Sequence, residues 1–440
     1  SQDTTGAFDP KAHQRTETGT GSFGEGPIGR EHLTASAIGT VIADRYTLIE
    51  VIGEGGMGSV YLALQSEPVK RHVALKLIKT GMDTKAVLAR FDAERQALAL
   101  MDHPNIARIY DGGVTPSGQP FFVMELVNGV PLTEYCDSHR LSVDARLQLF
   151  VSVCQAVQHA HQKGIIHRDL KPGNVLVTEM DGQPTPKVID FGVAKATELK
   201  LTDMSFADTG AIVGTPAYMS PEQADPSSMD IDTRTDVYAL GVMLYELLTG
   251  SPPIDSKQFK RGAVLEMLRM VREVDPPRPS TRLSKANAQP NIAANRSIEP
   301  AKLAKLLQGE LDWVVMKSLE KDRTRRYDTA NGLARDIQRY LADEVVEARP
   351  PSRGYQLKKF VKRNKVQVLA ASLILFALLA GMAGTTWGWF EAKRHERTAV
   401  AEREVAETAK VEEARQRKHA ESKEAEANAI VTFFEENVLS

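Results

Sequence analysis

Apolar and polar residues alternate with a period of two along much of residues 46–126, which is the pattern of half-buried strands. The alternation predicts strands over 46–52, 58–64, 72–78, 106–112 and 120–126. Between the third and fourth of these, residues 84–101 have the 3.6-residue period of an amphipathic helix. The pattern therefore predicts a small, mostly antiparallel unit with one helix.

The period becomes helical after "NGVPL" at residues 128–132. Helices are predicted over 141–163, 233–250, 262–273, 310–319 and 328–341, with turn-rich stretches at 181–186 and 275–299. A larger, mainly helical unit is therefore expected to follow the first. The predicted fold class is α+β.

Residues 366–390 carry no charged side chain, and a helix of this length exceeds the roughly 30 Å thickness of a bilayer core at about 1.5 Å per residue. Basic residues precede this stretch, and Trp387, Trp389 and Phe390 end it. Such flanks are typical of membrane interfaces. We expect one transmembrane helix, with a buried core helix as the alternative.

Composition changes divide the chain further. Residues 1–42 are rich in Gly, Thr and Ser, which predicts disorder. The segment after residue 390 is rich in Ala, Glu, Lys and Arg, which predicts a solvated helical stalk rather than a proven coiled coil. Its apolar end leads us to expect a packing partner beyond residue 440. The predicted segments are a disordered segment (1–42), a folded domain (43–345, divided at about 46–127 and 128–342), a basic juxtamembrane linker (346–365), a transmembrane helix (366–390) and a charged extracytoplasmic helix (391–440).

The overall composition is that of a folded protein, with 42% apolar and 25% charged residues among 440. A formal net charge of −2 argues against a nucleic-acid partner, which would require a basic surplus. The two cysteines, Cys136 and Cys154, lie in helix-like sequence without CxxC spacing. They are expected to be buried thiols in a reducing compartment.

The stretch "IGEGGMGSV" at residues 52–60 places Gly53, Gly55 and Gly58 between two predicted strands. A dinucleotide fold would place a helix after such glycines, so the arrangement favours a hairpin that closes over a nucleotide; an ordinary turn is the alternative. Lys76 ends "VALK" on a later strand, where it would neutralise phosphate charge, unless it is a surface lysine. Glu94 is the only glutamate between residues 79 and 100 and is the predicted partner of Lys76.

Two further motifs supply oxygen and ammonium groups. "HRDLKPGN" at 167–174 contains Asp169, able to accept a hydroxyl proton, and Lys171, able to neutralise a transferring phosphoryl group. Asn174 of the same motif and Asp190 of "VIDFG" suit Mg²⁺, which takes one or two oxygen ligands from protein. The predicted catalytic set is Lys76, Glu94, Asp169 and Lys171, and the predicted metal ligands are Asn174 and Asp190.

In this order and spacing the motifs resemble eukaryotic-type (Hanks-type) Ser/Thr protein kinases over residues 46 to about 342, in particular the bacterial single-pass membrane-anchored kinases. The resemblance implies a bilobal kinase fold, with a small antiparallel lobe containing one helix and a larger, mainly helical lobe. It also implies transfer of phosphate from ATP to Ser/Thr hydroxyls of protein substrates, with Mg²⁺ or Mn²⁺, in membrane-associated signalling.

The resemblance assigns further roles. Met124 would be the gatekeeper, and Glu125–Val127 the hinge that bonds adenine. "GTPAYMSPEQ" at 214–223 resembles the end of an activation segment, with Ser220 where the family usually has Ala, and Glu222 would pair with Arg326. Asp236 would brace the catalytic loop. The implied ATP-binding residues are Ile52, Gly53, Glu54, Gly55, Gly56, Met57, Gly58, Val60, Ala74, Lys76, Met124, Glu125, Leu126 and Val127.

Regulation and topology follow as hypotheses. Thr209 is the first candidate for an activating phosphosite, ahead of Ser205 and Thr202, with Arg168 to pair the phosphate; the alternative is a plain surface loop. Six basic residues in 351–365 against four in 391–405 place the kinase domain in the cytoplasm of a single-pass protein of the cell membrane.

Three alternatives remain open at this stage. Gly384 with Gly388, and Ala377 with Gly381, favour a homodimer through the membrane helix, which is otherwise a simple anchor. A pseudokinase scaffold that binds without phosphoryl transfer competes with the enzyme. A tyrosine kinase competes with the Ser/Thr kinase, although Lys171 and Thr215 resemble the Ser/Thr pattern.

Overall fold

The computed structural model describes residues 37–55, 58–78, 96, 98, 100–191, 216–225, 230–254, 264–285, 289–350 and 352–438. The chain divides into two compact units, residues 1–355 and 356–440. The first unit contains two lobes with most of the strands and helices that the sequence pattern predicts. The bilobal α+β fold is therefore confirmed.

The small lobe is built on a six-stranded antiparallel sheet of β1 (Val41–Ile42), β2 (Tyr46–Gly55), β3 (Gly58–Gln65), β4 (Arg71–Ile78), β5 (Ile109–Val114) and β6 (Pro120–Met124). The strand order in this sheet is β1-β2-β3-β4-β6-β5. β5 begins three residues later than predicted because Ile106 forms an isolated parallel bridge with Val188 of the large lobe. The helix predicted over 84–101 lies almost wholly outside the described residues, of which Gln96 and Leu98 are helical.

Both faces of the sheet are covered at β4, and this arrangement determines the direction in which Lys76 points. Val73, Leu75 and Leu77 lie in the core of the small lobe. Ala74 and Ile78 point the other way and join the core that continues into the large lobe. Because strand side chains alternate between faces, Lys76 shares this second face, which is the face toward the large lobe.

The large lobe contains a three-stranded antiparallel sheet and nine helices among its described residues. Its strands are β7 (Val130–Pro131), β8 (Val175–Met180) and β9 (Gln183–Val188). The helices are α1 (Leu132–Ser138), α2 (Val143–Gln162), α3 (Arg234–Thr249), α4 (Val264–Glu273), α5 (Pro279–Lys285), α6 (Gln289–Ala294), α7 (Pro300–Leu307), α8 (Glu310–Ser318) and α9 (Ala330–Leu341).

Two turn-rich stretches differ from the prediction. In the first, only Asp181 and Gly182 form the turn, both with positive φ, and the strand β9 follows at once. In the second, α5 and α6 are helical because prolines start or nearly start each helix and Leu283 and Ala293 are buried in the core. Tertiary burial therefore overrides the local turn signal there.

Helix α3 is buried along nearly its whole length and forms the centre of the large lobe. A Cβ added to Gly241 would lie 2.6 Å from the Cβ of Ser318 in α8, so only glycine permits this close helix contact. The same helix carries Asp236 in its first turn. The position of that carboxylate is therefore fixed by the rigid core.

The segment after α9 was predicted to be a linker from residue 346. In the structure its first part is hydrogen bonded to the large lobe: the amides of Glu347 and Ala348 donate to the fully buried carboxylate of Asp336 at 2.6 and 2.8 Å. The amide of Val346 donates to the Tyr355 hydroxyl at 3.2 Å. Helix α10 (Arg353–Arg363) follows. The described residues of this connection are thus tied to the large lobe and to Tyr355 by hydrogen bonds.

The second unit is dominated by α11 (Lys365–Val438), a single helix of 74 residues. At about 1.5 Å per residue it is about 110 Å long. Among the described residues it is the one helix that is long and apolar enough to cross a membrane, judged by length and composition. The predicted membrane helix and the predicted stalk are therefore one continuous element.

Candidate active site

The glycine-rich stretch forms the hairpin between β2 and β3. Gly53 lies opposite Val60, and Gly55 opposite Gly58. A Cβ on Gly58 would lie 2.0 Å from the carbonyl oxygen of Leu77, so a side chain there would collide with the backbone of β4. Gly56 and Met57 lie outside the described residues. The hairpin is therefore in direct contact with the strand that carries Lys76.

Lys76 and Asp190 form an ion pair across the two lobes. The Lys76 Nζ lies 3.0 Å from the Asp190 Oδ2, and Lys76 is 7% exposed. Asp190 has a φ of 62°, a left-handed conformation that is uncommon for a residue with a side chain. The predicted partner Glu94 lies outside the described residues, so its pairing with Lys76 stays a prediction. The Lys76–Asp190 contact was not foreseen from the sequence.

Asp169, Lys171 and Asn174 come together after α2, the last of them in a short 3₁₀ turn (Pro172–Asn174). The Asp169 Oδ2 accepts from Lys171 Nζ at 2.7 Å and from Asn174 Nδ2 at 3.2 Å. The same Asn174 nitrogen donates to the backbone oxygen of Asp169 at 2.7 Å. A carboxylate held in this way has a defined orientation and a nearby cation, which is what proton acceptance next to a developing anion requires.

Asp236 holds the backbone before Asp169. Its fully buried carboxylate accepts from the amides of His167 and Arg168, each at 2.8 Å, and from His161 Nε2 at 2.7 Å. Arg168 has a φ of 66°, so these bonds stabilise a strained residue. The predicted bracing contact is therefore present.

The pKa of Asp236 reflects two opposed causes. Burial raises it, but the hydrogen bond and charge of His161, with further help from His167, lower it more, so the net pKa lies below the ordinary value. The sequence analysis did not identify His161. The signal that could have found it is the Asp236 carboxylate itself, because a buried carboxylate requires donors.

The predicted pair between Glu222 and Arg326 is present. Two Arg326 nitrogens donate to the two Glu222 oxygens at 2.8 Å each, and Thr235 Oγ1 donates to Glu222 at 2.8 Å. Burial raises the pKa of Glu222, but the hydrogen bonds and charge of Arg326 outweigh it, so the net pKa is lowered. This bidentate pair ties the end of the activation segment to the large lobe.

Gln223 connects that segment to the catalytic loop. Its Nε2 donates to the carbonyl oxygen of Arg168 at 2.8 Å. Its Oε1 accepts from the amide of Ser220 at 3.1 Å and from the Ser220 hydroxyl at 3.2 Å. The sequence analysis missed Gln223. Its only signal was Ser220 in place of the usual alanine, because a fully buried hydroxyl must have a partner.

The predicted gatekeeper and hinge lie at the end of β6. Met124 is buried and faces a small cavity lined also by Met101, Ala107, Ile109, Asp190 and Phe191. The Glu125 amide donates to the Arg108 carbonyl, and its carboxylate lies 2.8 Å from Lys187 Nζ. The Val127 carbonyl accepts from the Gly129 amide at 3.1 Å. The hinge backbone is thus held from both sides.

The protein kinase domain family matches residues 46–337. The chain belongs to the protein kinase family. It is 37% identical over 312 residues to the serine/threonine-protein kinase PknB of Mycolicibacterium smegmatis, covering 70% of this chain and 44% of that protein. It is 34% identical over 340 residues to the probable serine/threonine-protein kinase PknB of Lactococcus lactis, covering 77% and 47%. The chain therefore spans less than half the length of these relatives.

A solved kinase domain has the same fold. The structure of the Mycobacterium tuberculosis PknI kinase domain is 25% identical and has a TM-score of 0.50, covering 69% of this chain and 98% of that one. The three candidate phosphosites of this kinase, Thr202, Ser205 and Thr209, lie outside the described residues. Their position relative to Arg168 remains a prediction.

Protein kinases use ATP with a divalent metal, and the donors of this kinase suit Mg²⁺. Asn174 donates through its amide nitrogen, which leaves the amide oxygen as its metal ligand, and Asp190 contributes a carboxylate. Within the described ranges no three His, Cys, Asp or Glu side chains cluster as a metal site. Mg²⁺ does not need such a cluster, because water and phosphate complete its coordination.

Proposed function

We propose that this kinase transfers the γ-phosphoryl group of ATP to Ser and Thr hydroxyls of proteins. The observation that carries the proposal is the arrangement of Asp169, Lys171 and Asn174 on one side of the cleft, with the Lys76–Asp190 pair bridging the lobes. The names of the PknB relatives support the same reaction and residue type. The substrates remain proteins of unspecified sequence.

In the proposed mechanism, Asp169 accepts the proton of the attacking hydroxyl and Lys171 offsets charge on the transferring group. Lys76 holds the α- and β-phosphates. Asn174 and Asp190 would hold Mg²⁺, which when bound neutralises phosphate charge. The hinge Glu125–Val127 would hydrogen bond to adenine. Positioning and charge account for most of the rate, since no covalent intermediate is required.

The test is incorporation of labelled phosphate from ATP and Mg²⁺, followed by phosphoamino-acid analysis. We expect phosphoserine and phosphothreonine, and a loss of about 10²- to 10⁴-fold in the Asp169→Asn protein because the general base is removed. The matched control is Asp181→Asn, on the exposed β8–β9 turn. If the wild type incorporates no labelled phosphate, the result favours a pseudokinase scaffold. If phosphotyrosine is the one product, the result favours a tyrosine kinase.

We also propose that the kinase phosphorylates its own activation loop at Thr209, with Ser205 and Thr202 as further sites. Arg168 supports this proposal because it lies directly before the catalytic carboxylate and can pair a phosphate that orders the loop. Phosphosite mapping of the wild type and of a Thr209→Ala protein tests it. Undiminished activity in the variant would contradict the assignment.

The proposed location is the cell membrane, crossed once by residues 366–390, with the kinase domain in the cytoplasm. The exposed apolar part of α11 and its charge-free sequence support the crossing. Protease added to intact cells should then spare the kinase domain. Digestion of that domain from outside would reverse the topology.

A homodimer through this helix is a further part of the proposal. A Cβ added to Gly384 or Gly388 would meet no atom within 4 Å, so this surface of α11 admits a close second helix. Replacing both glycines with isoleucine should lower cross-linking in membranes. Unchanged cross-linking would leave the helix as a simple anchor.

A further inference from the structure

We infer that the segment formed by α10 and the start of α11 is a binding surface for an anionic lipid leaflet. The inference rests on the proposed membrane crossing and adds a lipid preference to it. Between Glu347 and Glu391 the sequence has no carboxylate side chain and seven cationic ones. They are Arg349, Arg353, Lys358, Lys359, Lys362, Arg363 and Lys365.

Helix α10 also presents apolar surface among these cations. Phe360 and Val361 are 55% and 40% exposed, although large apolar side chains are normally covered. An exposed pair of this kind within a cationic helix is typical of segments that lie at the boundary between headgroups and acyl chains. The apolar side chains enter the boundary, and the exposed cations Lys362, Arg363 and Lys365 remain at the level of the headgroups. Lys359 is 9% exposed and is not counted among them.

The junction between α10 and α11 places this segment beside the bilayer. The Asn364 amide donates to the Phe360 carbonyl at 3.0 Å, and the Val368 amide donates to the Asn364 carbonyl at 2.9 Å. Helical hydrogen bonds therefore pass through Asn364 without a flexible gap. At about 1.5 Å per residue, Lys358 lies about 12 Å along the helix from Val366, a distance close to one Debye length.

The balance of charges differs between the two sides of the apolar stretch, and this difference identifies the partner. Within 391–405 four cations are balanced by four carboxylates, whereas residues 348–365 contain cations alone. Binding to a membrane surface of any lipid composition would not require an excess of cations on one side of the apolar stretch only. A leaflet that contains acidic lipids is complementary to the α10 side only, since each Lys or Arg near such a surface contributes about 1 kcal/mol, a factor of about five in binding.

The test uses the full chain reconstituted in vesicles of phosphatidylcholine with phosphatidylglycerol. Spin-labelled forms of each lipid report how much of it is immobilised at the protein, and their ratio is the preference for the acidic lipid. We expect a clear preference for phosphatidylglycerol that falls at least about threefold when Arg353, Lys358, Lys362 and Arg363 are all changed to Gln. It should also fall in about 0.5 M NaCl, where charges are screened.

The control changes four stalk cations to Gln, namely Lys410, Arg415, Arg417 and Lys418. This variant has the same change in net charge and should keep the preference. Equal immobilisation of the two lipids by the wild type, or an unchanged preference in the α10 variant, overturns the inference. Inorganic phosphate added at constant ionic strength should not change the preference. If added phosphate abolishes the preference for phosphatidylglycerol, the inference is overturned, because the site would then bind free phosphate.

Two further measurements separate this inference from the proposed function. Resistance of the chain to extraction from vesicles by alkaline carbonate reports the membrane crossing. Phosphate transfer in the α10 variant reports the kinase and should match the wild type, because none of the four changed residues belongs to the predicted catalytic, metal-binding or nucleotide-binding set. A chain that inserts and phosphorylates but shows no lipid preference overturns the inference alone. A chain that alkaline carbonate extracts from the vesicles overturns both the proposed membrane crossing and the inference.

Discussion

Carboxylates in the large lobe and in α11 carry the same charge but have different surroundings. Asp236 is fully buried and accepts from three donors, whereas the Glu421 side chain is 66% exposed and has one contact, to Arg417 at 3.6 Å. A buried carboxylate is costly unless its donors are built around it, so it ties elements together. An exposed carboxylate is solvated and screened. Burial, rather than residue type, therefore decides what each carboxylate does.

The largest expected loss of stability is at the buried Glu222–Arg326 pair. Changing Glu222→Gln leaves the Arg326 charge buried without its counter-ion, and we expect the free energy of unfolding to fall by about 3–5 kcal/mol. Chemical denaturation of the wild type and variant in the same detergent measures it. A fall no larger than that of an exposed pair would contradict the comparison.

Acid should weaken the same contacts. The pKa values of Glu222 and Asp236 lie below their ordinary values of 4.5 and 3.8. Each carboxylate therefore contributes stability that is fully present above its ordinary pKa and is lost as the pH falls toward the lowered one. The difference in melting temperature between wild type and Glu222→Gln should narrow below about pH 4.5. A difference that is constant down to pH 3 would argue against the lowered pKa of Glu222.

A smaller effect is expected at Gln223, which ties the activation segment to the catalytic loop by neutral hydrogen bonds. Gln223→Leu removes the donor to the Arg168 carbonyl and should lower kcat by up to about tenfold. The KM for ATP should stay unchanged, because Gln223 is not among the predicted nucleotide-binding residues. Gln338→Leu, on the exposed face of α9, is the matched control. Equal kcat values for the two variants would exclude a positioning role.

The smallest effect is expected in α11. Glu421→Gln removes one exposed contact, and such pairs contribute less than about 0.5 kcal/mol. Helicity by circular dichroism and the unfolding transition should therefore match those of the wild type. A loss comparable to that of Glu222→Gln would mean that α11 is packed against a partner.

Much of the fold could be predicted because local periodicity and burial agree. The alternation that predicted β3 is the alternation of its buried side chains. β4 was predicted equally well although it is buried on both faces, because its buried residues are almost all apolar. The same holds for α2 and α3, whose predicted and observed bounds differ by one or two residues. Prediction failed at α5 and α6, where proline and asparagine indicate turns but contacts distant in sequence stabilise short helices.

In the candidate site, too, some contacts could be predicted from the sequence and others could not. Asp169, Lys171 and Asn174 lie within six residues, so their proximity follows from the sequence. The partners of Asp236 and Gln223 come from separate elements, with His161 on α2 and Arg168 in the loop that follows it. A residue type does not specify which distant donor reaches it.

By itself, the sequence determined the order of the elements, the residues that carry the chemistry and the long apolar stretch of α11, because these depend on residue type and local spacing. Only the tertiary structure decided that Lys76 contacts Asp190, that His161 supports Asp236 and that the Val346 amide donates to the Tyr355 hydroxyl. The physical reason is that a buried polar group must find its partner within hydrogen-bond distance. Packing of the whole domain, and not any one segment, brings that partner within reach.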